Sequence, residues 1–134
     1  DAPWDIKHMA GGLMDTEFMI QFHALLNYES LEKTEPRDSL DTLESLKLHG
    51  VLQTSEADIL SEATALWTNL LWLLRLTLDV SVSTGEIPAG LEKRFLHATG
   101  LASREALDRE VKKMSKQVSS MFENTIERSA AAET

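Results

Sequence analysis

Cysteine is absent from the 134 residues of this chain, and proline and glycine are scarce, at three and six residues. Without cysteine the chain can form no disulfide, no thiolate nucleophile and no zinc–thiolate site. Proline and glycine interrupt helices, so their rarity leaves long uninterrupted segments. The hydrophobic fraction is 43% and the charged fraction 26%. That balance is typical of a globular domain that buries a core.

The chain also lacks the short motifs that mark common catalytic sites. It contains no Gly-x-Gly-x-x-Gly, no phosphate-binding loop, no Gly-x-Ser-x-Gly and no Asp-x-Asp pair. The four histidines, His8, His23, His49 and His97, show no HExxH or Glu-x-x-His spacing, which excludes the di-iron type of bundle. We expect His23 to pack or to contact solvent, and His49, just before Gly50, to support a helix C-terminus.

Positive charge is in deficit, because 13 Lys and Arg oppose 22 Asp and Glu and the net charge is -9. An acidic surface repels phosphate backbones, so we expect no nucleic-acid partner. The longest apolar stretch, Ala65–Leu74, is interrupted by Thr68 and Asn69. It falls short of the roughly 20 apolar residues of a membrane span. The chain begins Asp-Ala-Pro-Trp without Met. We expect a cytoplasmic piece of a longer protein with no membrane partner.

Apolar residues recur at helical spacing along almost the whole chain, which predicts an all-α bundle of about five helices. The predicted helices cover Leu13–Tyr28, Asp38–His49, Glu56–Asp79, a short segment opened by Pro88 and stopped by Gly100, and Ser103–Arg128. A short extended segment, Trp4–Lys7, comes first, and a polar stretch, Glu29–Arg37, separates the first two helices. Residues 129–134 are expected to be a flexible tail.

The periodicity also predicts which side chains face the core. In the first helix the expected inward set is Leu13, Met14, Phe18, Phe22, Leu25 and Leu26. In the second it is Leu40, Leu43 and Leu46, with Leu48 as a further candidate. The third helix, capped by Thr54 or Ser55, is apolar around most of its circumference, which predicts a central position. Trp67 and Trp72 lie on different faces of it, so one belongs to the core and the other to the core or a docking surface.

The last helix repeats apolar residues in steps of four and three, at Leu107, Val111, Met114, Val118, Met121 and Thr125. Such a repeat is typical of a coiled coil and also of one amphipathic helix packed on a bundle. We favour the bundle, because an internal partner surface is available.

One cluster near the N-terminus could do chemistry. It combines Lys7, the pair Gly11-Gly12, and the carboxylates Asp15 and Glu17 in the first helical turn. A lysine, two glycines and a helix N-terminus are a plausible seat for an anion. The two carboxylates would repel a phosphate unless a metal or a basic partner intervened. The other interpretation is a tight turn that joins two domains, with ordinary capping.

The same residues carry a family resemblance, through the order Asp5-Ile6-Lys7, Gly11-Gly12-Leu13 and Asp15-x-Glu17-Phe18-x-x-Gln21. This order resembles bifunctional glutamine synthetase adenylyltransferase/adenylyl-removing enzymes, over residues 4–127. In that family such a run joins a nucleotidyltransferase domain to a following helical bundle. Thr16 departs from the usual Ile, and the stretch after Asp79 matches only loosely.

The resemblance implies that residues 1–134 are one helical domain of a larger, multifunctional nucleotidyltransferase of nitrogen metabolism. Residues 1–14 would then be the linker and turn that follow the catalytic domain. The chain lacks the catalytic Gly-Ser and Asp-x-Asp, so we expect no activity from it alone and no bound cofactor. The parent enzyme would use ATP and Mg²⁺, with glutamine synthetase as substrate and the PII protein and glutamine as regulators. The short polar end favours the transferase half over the removing half.

The resemblance also implies roles for individual residues. Lys7 would contact phosphate or a carboxylate of the catalytic domain, and Gly11 and Gly12 would let the turn approach it. Asp15 and Glu17 would pair with basic groups across the domain interface or assist a metal indirectly, and Gln21 belongs to the same candidate set. Two alternatives stay open. They are the corresponding domain of a PII uridylyltransferase, and a free-standing helical module that docks a partner helix.

Overall fold

A computed structural model describes residues 5–27, 38–84, 93, 96–97, 100 and 103–132. These residues form four long helices, α1 (Leu13–Leu26), α2 (Ser39–Leu48), α3 (Thr54–Thr84) and α4 (Arg104–Ala132). No strand occurs within these ranges, so the all-α prediction is confirmed. The short helix predicted from Pro88 and the polar stretch Glu29–Arg37 lie mostly outside the described residues. Leu96 and His97 are helical, and Gly100 follows them with a φ of +73°.

The predicted helix boundaries are close to the observed ones, and local hydrogen bonds explain them. Asp38 caps α2 by accepting a hydrogen bond from the Asp41 amide at 2.9 Å. Gly50 ends the same helix with a φ of +69°, a conformation that glycine adopts at little cost. The Ser103 hydroxyl caps α4, because it accepts from the Ala106 amide at 3.1 Å. These three features are the start and stop signals that the sequence contains.

Some boundaries differ from the prediction. The third helix already begins at Thr54, so the predicted caps Thr54 and Ser55 lie inside its first turn. It also continues to Thr84, and α4 continues to Ala132, so residues 129–132 are helical where a tail was expected. At the front, Ile6 and Lys7 lie in a turn rather than in an extended segment.

The third helix lies at the centre of the bundle, as its apolar circumference predicts. Both α3 and α1 contact each of the other three long helices. The part of α3 inside the core is formed by Ala57, Leu60, Ala63, Trp67 and Leu70. Trp67 is fully buried, whereas Trp72 is 66% exposed, so the question left open by their spacing is answered.

The last helix packs by the stripe that its sequence predicts. Leu107, Val111, Met114, Val118 and Thr125 are buried, and Met121 packs partly buried against the core. The surface that covers this stripe belongs to α1 and α3 of the same chain. The bundle interpretation is therefore confirmed over the coiled coil.

The prediction of which face of α1 packs against the core is wrong. Met14, Phe18, Leu25 and Leu26 are between 46% and 75% exposed, and the core receives the opposite side of the helix, through Thr16, Met19 and Ile20. Leu13 and Phe22 lie between the two faces and are partly buried. Because α1 carries apolar residues on both sides, its periodicity cannot decide which side faces inward. In α2, likewise, only Leu43 and Leu46 are buried, and Leu40 and Leu48 are exposed.

Candidate functional site

The N-terminal turn, residues 5–12, is held by its own main chain. The Met9 amide donates to the Asp5 carbonyl at 2.8 Å, and the Gly12 amide donates to the Met9 carbonyl at 2.9 Å. Ile6 is buried and joins the core, which ties the turn to the bundle. The turn is therefore an integral part of the fold and presents its remaining side chains in fixed positions.

The N-terminal turn also provides hydrogen-bond acceptors for the first amides of α1. The Leu13 amide donates to the Ile6 carbonyl at 2.8 Å, and the Met14 amide donates to the Lys7 carbonyl at 3.1 Å. Both are amides that a helix N-terminus would otherwise offer to an anion. In this arrangement they are satisfied within the chain, which favours the interpretation of a joining turn over that of an anion seat.

The Asp15 side chain points back to the N-terminal turn. Its Oδ2 atom accepts a hydrogen bond from the Gly11 amide at 2.8 Å, and the side chain is half-buried. Thr16 reinforces the same point, because its hydroxyl donates to the Gly12 carbonyl at 2.8 Å while its side chain is fully buried. Asp15 thus has a positioning contact already in place, and Thr16, the departure from the family pattern, satisfies its hydroxyl at the start of the same helix.

Both glycines of the pair are required by close packing. Gly11 has a φ of +73°, and a Cβ atom there would overlap the carbonyl group of Ser115 in α4. A Cβ atom at Gly12 would overlap the Ile6 carbonyl oxygen and lie 2.9 Å from that of Met9. Gly11 therefore lets the turn lie directly against the main chain of α4, and Gly12 lets the turn close on its own main chain. These close contacts lie within the domain, and they explain the presence of the two glycines without a bound ligand.

The other three candidate residues, Lys7, Glu17 and Gln21, are exposed. Glu17 and Gln21 belong to one side of α1, which we call the α1 outer face: Met14, Glu17, Phe18, Gln21 and Leu25. These positions follow the spacing of a single helical surface, and the face lies opposite the buried one. The candidate set is therefore divided into Asp15, Gly11 and Gly12 inside the turn and three side chains that face outward.

Sequence reasoning missed the apolar members of the α1 outer face, because it assigned Met14, Phe18 and Leu25 to the core. Phe18 stacks on Phe22 with ring centroids 5.8 Å apart and meets Phe122 of α4 at 5.5 Å. Aromatic contacts of this kind fix the rings in place. The signal available in the sequence was a second apolar stripe on the same helix, formed by Met19 and Ile20. Because the helix has two apolar stripes, one of them is not needed for the core.

His23 lies at the rim of the core on α1, edge-on to the Phe22 ring at 5.9 Å. Burial lowers the pKa of its imidazole, an effect that the Glu56 carboxylate opposes and the Arg128 guanidinium reinforces. The ring is therefore held toward its neutral form, consistent with the expected packing role. His49 lies at the end of α2, where its Nδ1 atom is 2.9 Å from the Ser45 carbonyl oxygen.

Nothing in the described ranges resembles a catalytic centre. Among those residues no group of three or more His, Asp or Glu side chains could hold a metal ion. His8 pairs with Asp5 at 3.2 Å, but both are exposed and no nucleophile accompanies them. Within the same ranges no helix is long and apolar enough to cross a membrane. The described groups can position the turn and form contacts with another molecule.

Comparison with known proteins gives two related results. A family model described as GlnD PII-uridylyltransferase matches residues 2–126. Proteins named bifunctional glutamine synthetase adenylyltransferase/adenylyl-removing enzyme are similar over most of the chain. The protein from Rhizobium meliloti (strain 1021) is 33% identical over 92% of this chain, and that from Agrobacterium fabrum is 33% identical over 89%. The Xanthobacter autotrophicus protein is 28% identical over 95%.

In each case the matched region is a small part of the relative. The chain spans 13%, 12% and 13% of the lengths of these three proteins. No solved structure matches the chain. The N-terminal turn, the glycine pair, most of α4 and the whole of α1, α2 and α3 fall inside the region that the family model matches. The chain belongs to the GlnD PII-uridylyltransferase family and, within it, is similar to a segment of the glutamine synthetase adenylyltransferases.

Proposed function

We propose that this chain is an accessory helical domain of an enzyme that adenylylates and deadenylylates glutamine synthetase. Its task is to pack on a nucleotidyltransferase domain through the α1 outer face and the N-terminal turn, and so to border the substrate cleft. The parent enzyme would use ATP and Mg²⁺ in its catalytic domain, in the cytoplasm, and the helical domain would relay the state of PII and glutamine.

The observation that carries this proposal is the exposed apolar side of α1. Met14 is 50% exposed, Phe18 46% and Leu25 75%. Three large apolar side chains on one helical face are typical of a surface that another protein domain covers. Glu17 and Gln21 lie on the same face and supply polar contacts. The similarity to a segment of much longer adenylyltransferases supports a covering domain in the same polypeptide.

Lys7 has a separate part in the proposal. Its side chain is exposed at the turn, while its main-chain carbonyl is used by the Met14 amide. The ammonium group has no salt-bridge partner within the described residues. It can therefore reach a phosphate or a carboxylate of the neighbouring domain. Substituting Lys7→Ala in the complete enzyme should lower adenylylation and leave the helical domain folded, and unchanged turnover would remove Lys7 from the interface.

The test of the interface uses two leucines with equal exposure. Leu25 on α1 and Leu48 on α2 are each 75% exposed, so Ser at either position removes the same apolar surface. In the complete enzyme, Leu25→Ser should lower the rate of AMP transfer to glutamine synthetase. Leu48→Ser should leave that rate unchanged, and circular dichroism should show all variants folded. Equal rates in both variants would contradict the proposed interface.

The family model supports a second candidate, the corresponding domain of a PII uridylyltransferase, because its description names that activity. The two candidates use the same fold and differ in the substrate of the attached catalytic domain. The complete enzyme should be assayed with glutamine synthetase and ATP, and separately with PII and UTP. Transfer of AMP to the synthetase supports the first candidate, and transfer of UMP to PII replaces it with the second. If neither transfer occurs and the chain instead captures a partner helix through α1, the free-standing module is supported.

A further inference from the structure

The outer side of α4 carries four cations in eight residues, namely Arg109, Lys112, Lys113 and Lys116. All four are exposed and lie on the side of the helix opposite its buried stripe. Their spacing of three and four residues places them next to one another on one surface. We call this set the α4 basic stripe. It is a local concentration of positive charge on a chain whose net charge is -9.

Ion pairing within the chain does not account for the stripe. Lys112 forms a salt bridge to Asp108 at 2.9 Å. For Arg109, Lys113 and Lys116, no carboxylate lies within salt-bridge distance among the described residues. Like charges three or four positions apart on a helix repel one another. An anionic partner would relieve the repulsion among these four cations.

The dimensions of the stripe limit the partner. From Arg109 to Lys116 the helix rises about 10 Å, which an extended peptide covers in about three or four residues. Exposed Glu105 and Glu123 flank the stripe on the same side of α4. A nucleic acid would extend past both ends, onto these carboxylates and into the field of an acidic domain. A short run of carboxylates on a protein matches the stripe in length and charge.

We propose that the α4 basic stripe docks a short carboxylate-rich segment of a partner protein. The site is separate from the α1 outer face, and it uses no residue that the proposed function requires. Attraction here is between exposed groups, so it should be modest in strength and weakened by salt. The segment would lie along α4 with its carboxylates close to Arg109, Lys113 and Lys116.

The test measures binding of a synthetic peptide of alternating Asp and Glu to the isotope-labelled 134-residue chain, by amide chemical shifts at low salt. The wild-type shifts should concentrate between residues 109 and 116 and disappear as salt is raised. Reversal of three charges, in Arg109→Glu/Lys113→Glu/Lys116→Glu, should weaken binding about tenfold or more. The neutral variant Arg109→Gln/Lys113→Gln/Lys116→Gln should weaken it less, and it is the milder probe if charge reversal disturbs folding.

The matched control reverses three exposed cations elsewhere, in Lys47→Glu/Arg75→Glu/Lys93→Glu, and so makes the same change in net charge. It should bind the peptide within about twofold of wild type at a moderate salt concentration, about 0.1 M, at which wild type still binds and long-range repulsion is partly screened. Equal weakening in the two triple variants would overturn the proposal, because net charge alone would then explain binding. It would also be overturned if wild type fails to bind the peptide, or if a short DNA oligonucleotide of the same charge binds at least as tightly.

Discussion

Gly11 of the N-terminal turn lies directly against the main chain of Ser115 in the last helix. The contact leaves no room for a side chain, since a Cβ atom on Gly11 would overlap the Ser115 carbonyl. The turn and α4 thereby form one packed unit, with the Asp15 carboxylate holding the Gly11 amide from the other side. This relationship gives the glycine pair a structural purpose that its sequence context alone does not reveal.

Substitution of Gly11 by Ala should destabilise the domain by about 2–4 kcal/mol, through the overlap together with the positive φ. Gly50 is the matched control, because its φ is +69° but no atom lies within 4 Å of its Cβ position. Gly50→Ala should therefore lose only about 1 kcal/mol. Urea unfolding followed by circular dichroism measures both. Similar losses would mean that backbone conformation, and not the contact with Ser115, sets the requirement at Gly11.

Asp15 and Glu17 should behave differently although both are acidic residues near the start of α1. Asp15→Ala removes the acceptor of the Gly11 amide and should lose about 1–2 kcal/mol of stability. Asp15→Asn keeps an acceptor oxygen and should lose less. Glu17 is exposed, so Glu17→Ala should change stability by less than about 0.5 kcal/mol. If Glu17→Ala were as harmful as Asp15→Ala, the division of the candidate set would be wrong.

His23 makes stability depend on pH in a defined direction. Its pKa is lowered in the folded state, chiefly by burial, from an ordinary value of about 6.5. As the pH falls, the unfolded chain therefore takes up the proton before the folded chain does. The contribution of neutral His23 to the free energy of unfolding is complete above pH 6.5 and is lost as the pH falls through 6.5 toward the folded-state pKa. Urea unfolding at about pH 7.5 and 5.5 should show this fall.

The His23→Gln variant should flatten that difference relative to wild type. His8→Gln is the control, since His8 is exposed on the turn and pairs only with exposed Asp5. A wild-type slope retained in His23→Gln would assign the pH dependence to other groups. The neighbours can be checked by imidazole NMR: Glu56→Gln should lower the pKa of His23 further, and Arg128→Gln should raise it.

Substitutions of the two tryptophans of α3 should differ in their effect on stability, because one lies in the core and the other on the surface. Trp67 is fully buried, and its indole N–H has no hydrogen-bond partner among the described residues. Trp67→Ala should lose about 3–5 kcal/mol, whereas Trp67→Phe should lose less because it also removes the unpaired donor. Trp72→Ala should change stability by less than about 1 kcal/mol. Thermal unfolding of the three variants is sufficient, and a large loss in Trp72→Ala would show that this side chain is packed.

The sequence predicts the all-α class and the packing of α4 well, because α4 has one apolar stripe and one polar side. Its buried Leu107, Val111 and Val118 follow that single stripe. In α1 the same reasoning selects the wrong side. Met14 and Phe18 on one face compete with Met19 and Ile20 on the other, and only the packing of α2, α3 and α4 around the helix decides between them.

The candidate site shows a similar limit. The motif around Gly11 and Asp15 is visible in the sequence, but its use is not. An anion seat and a packed turn require the same residue types, and they differ only in what the amides bond to. Leu13 and Met14 donate to carbonyls of the turn, which depends on how the chain folds back on itself. The α1 outer face was not recognised from the sequence for a different reason. Its exposed apolar members are of the same residue types as core residues.

The contact between Gly11 and Ser115 joins positions that are about one hundred residues apart along the chain. Closing so long a loop costs chain entropy, and contacts of this range slow folding. During synthesis the turn leaves the ribosome well before α4 does, so the side of Gly11 that Ser115 covers stays bare until the last helix emerges. Folding of the domain should therefore be completed only after α4 has emerged, when it docks on the turn and on the helices that precede it. A ribosome-bound chain halted before residue 104 should remain susceptible to proteases, whereas release of α4 should bring protection in a single step.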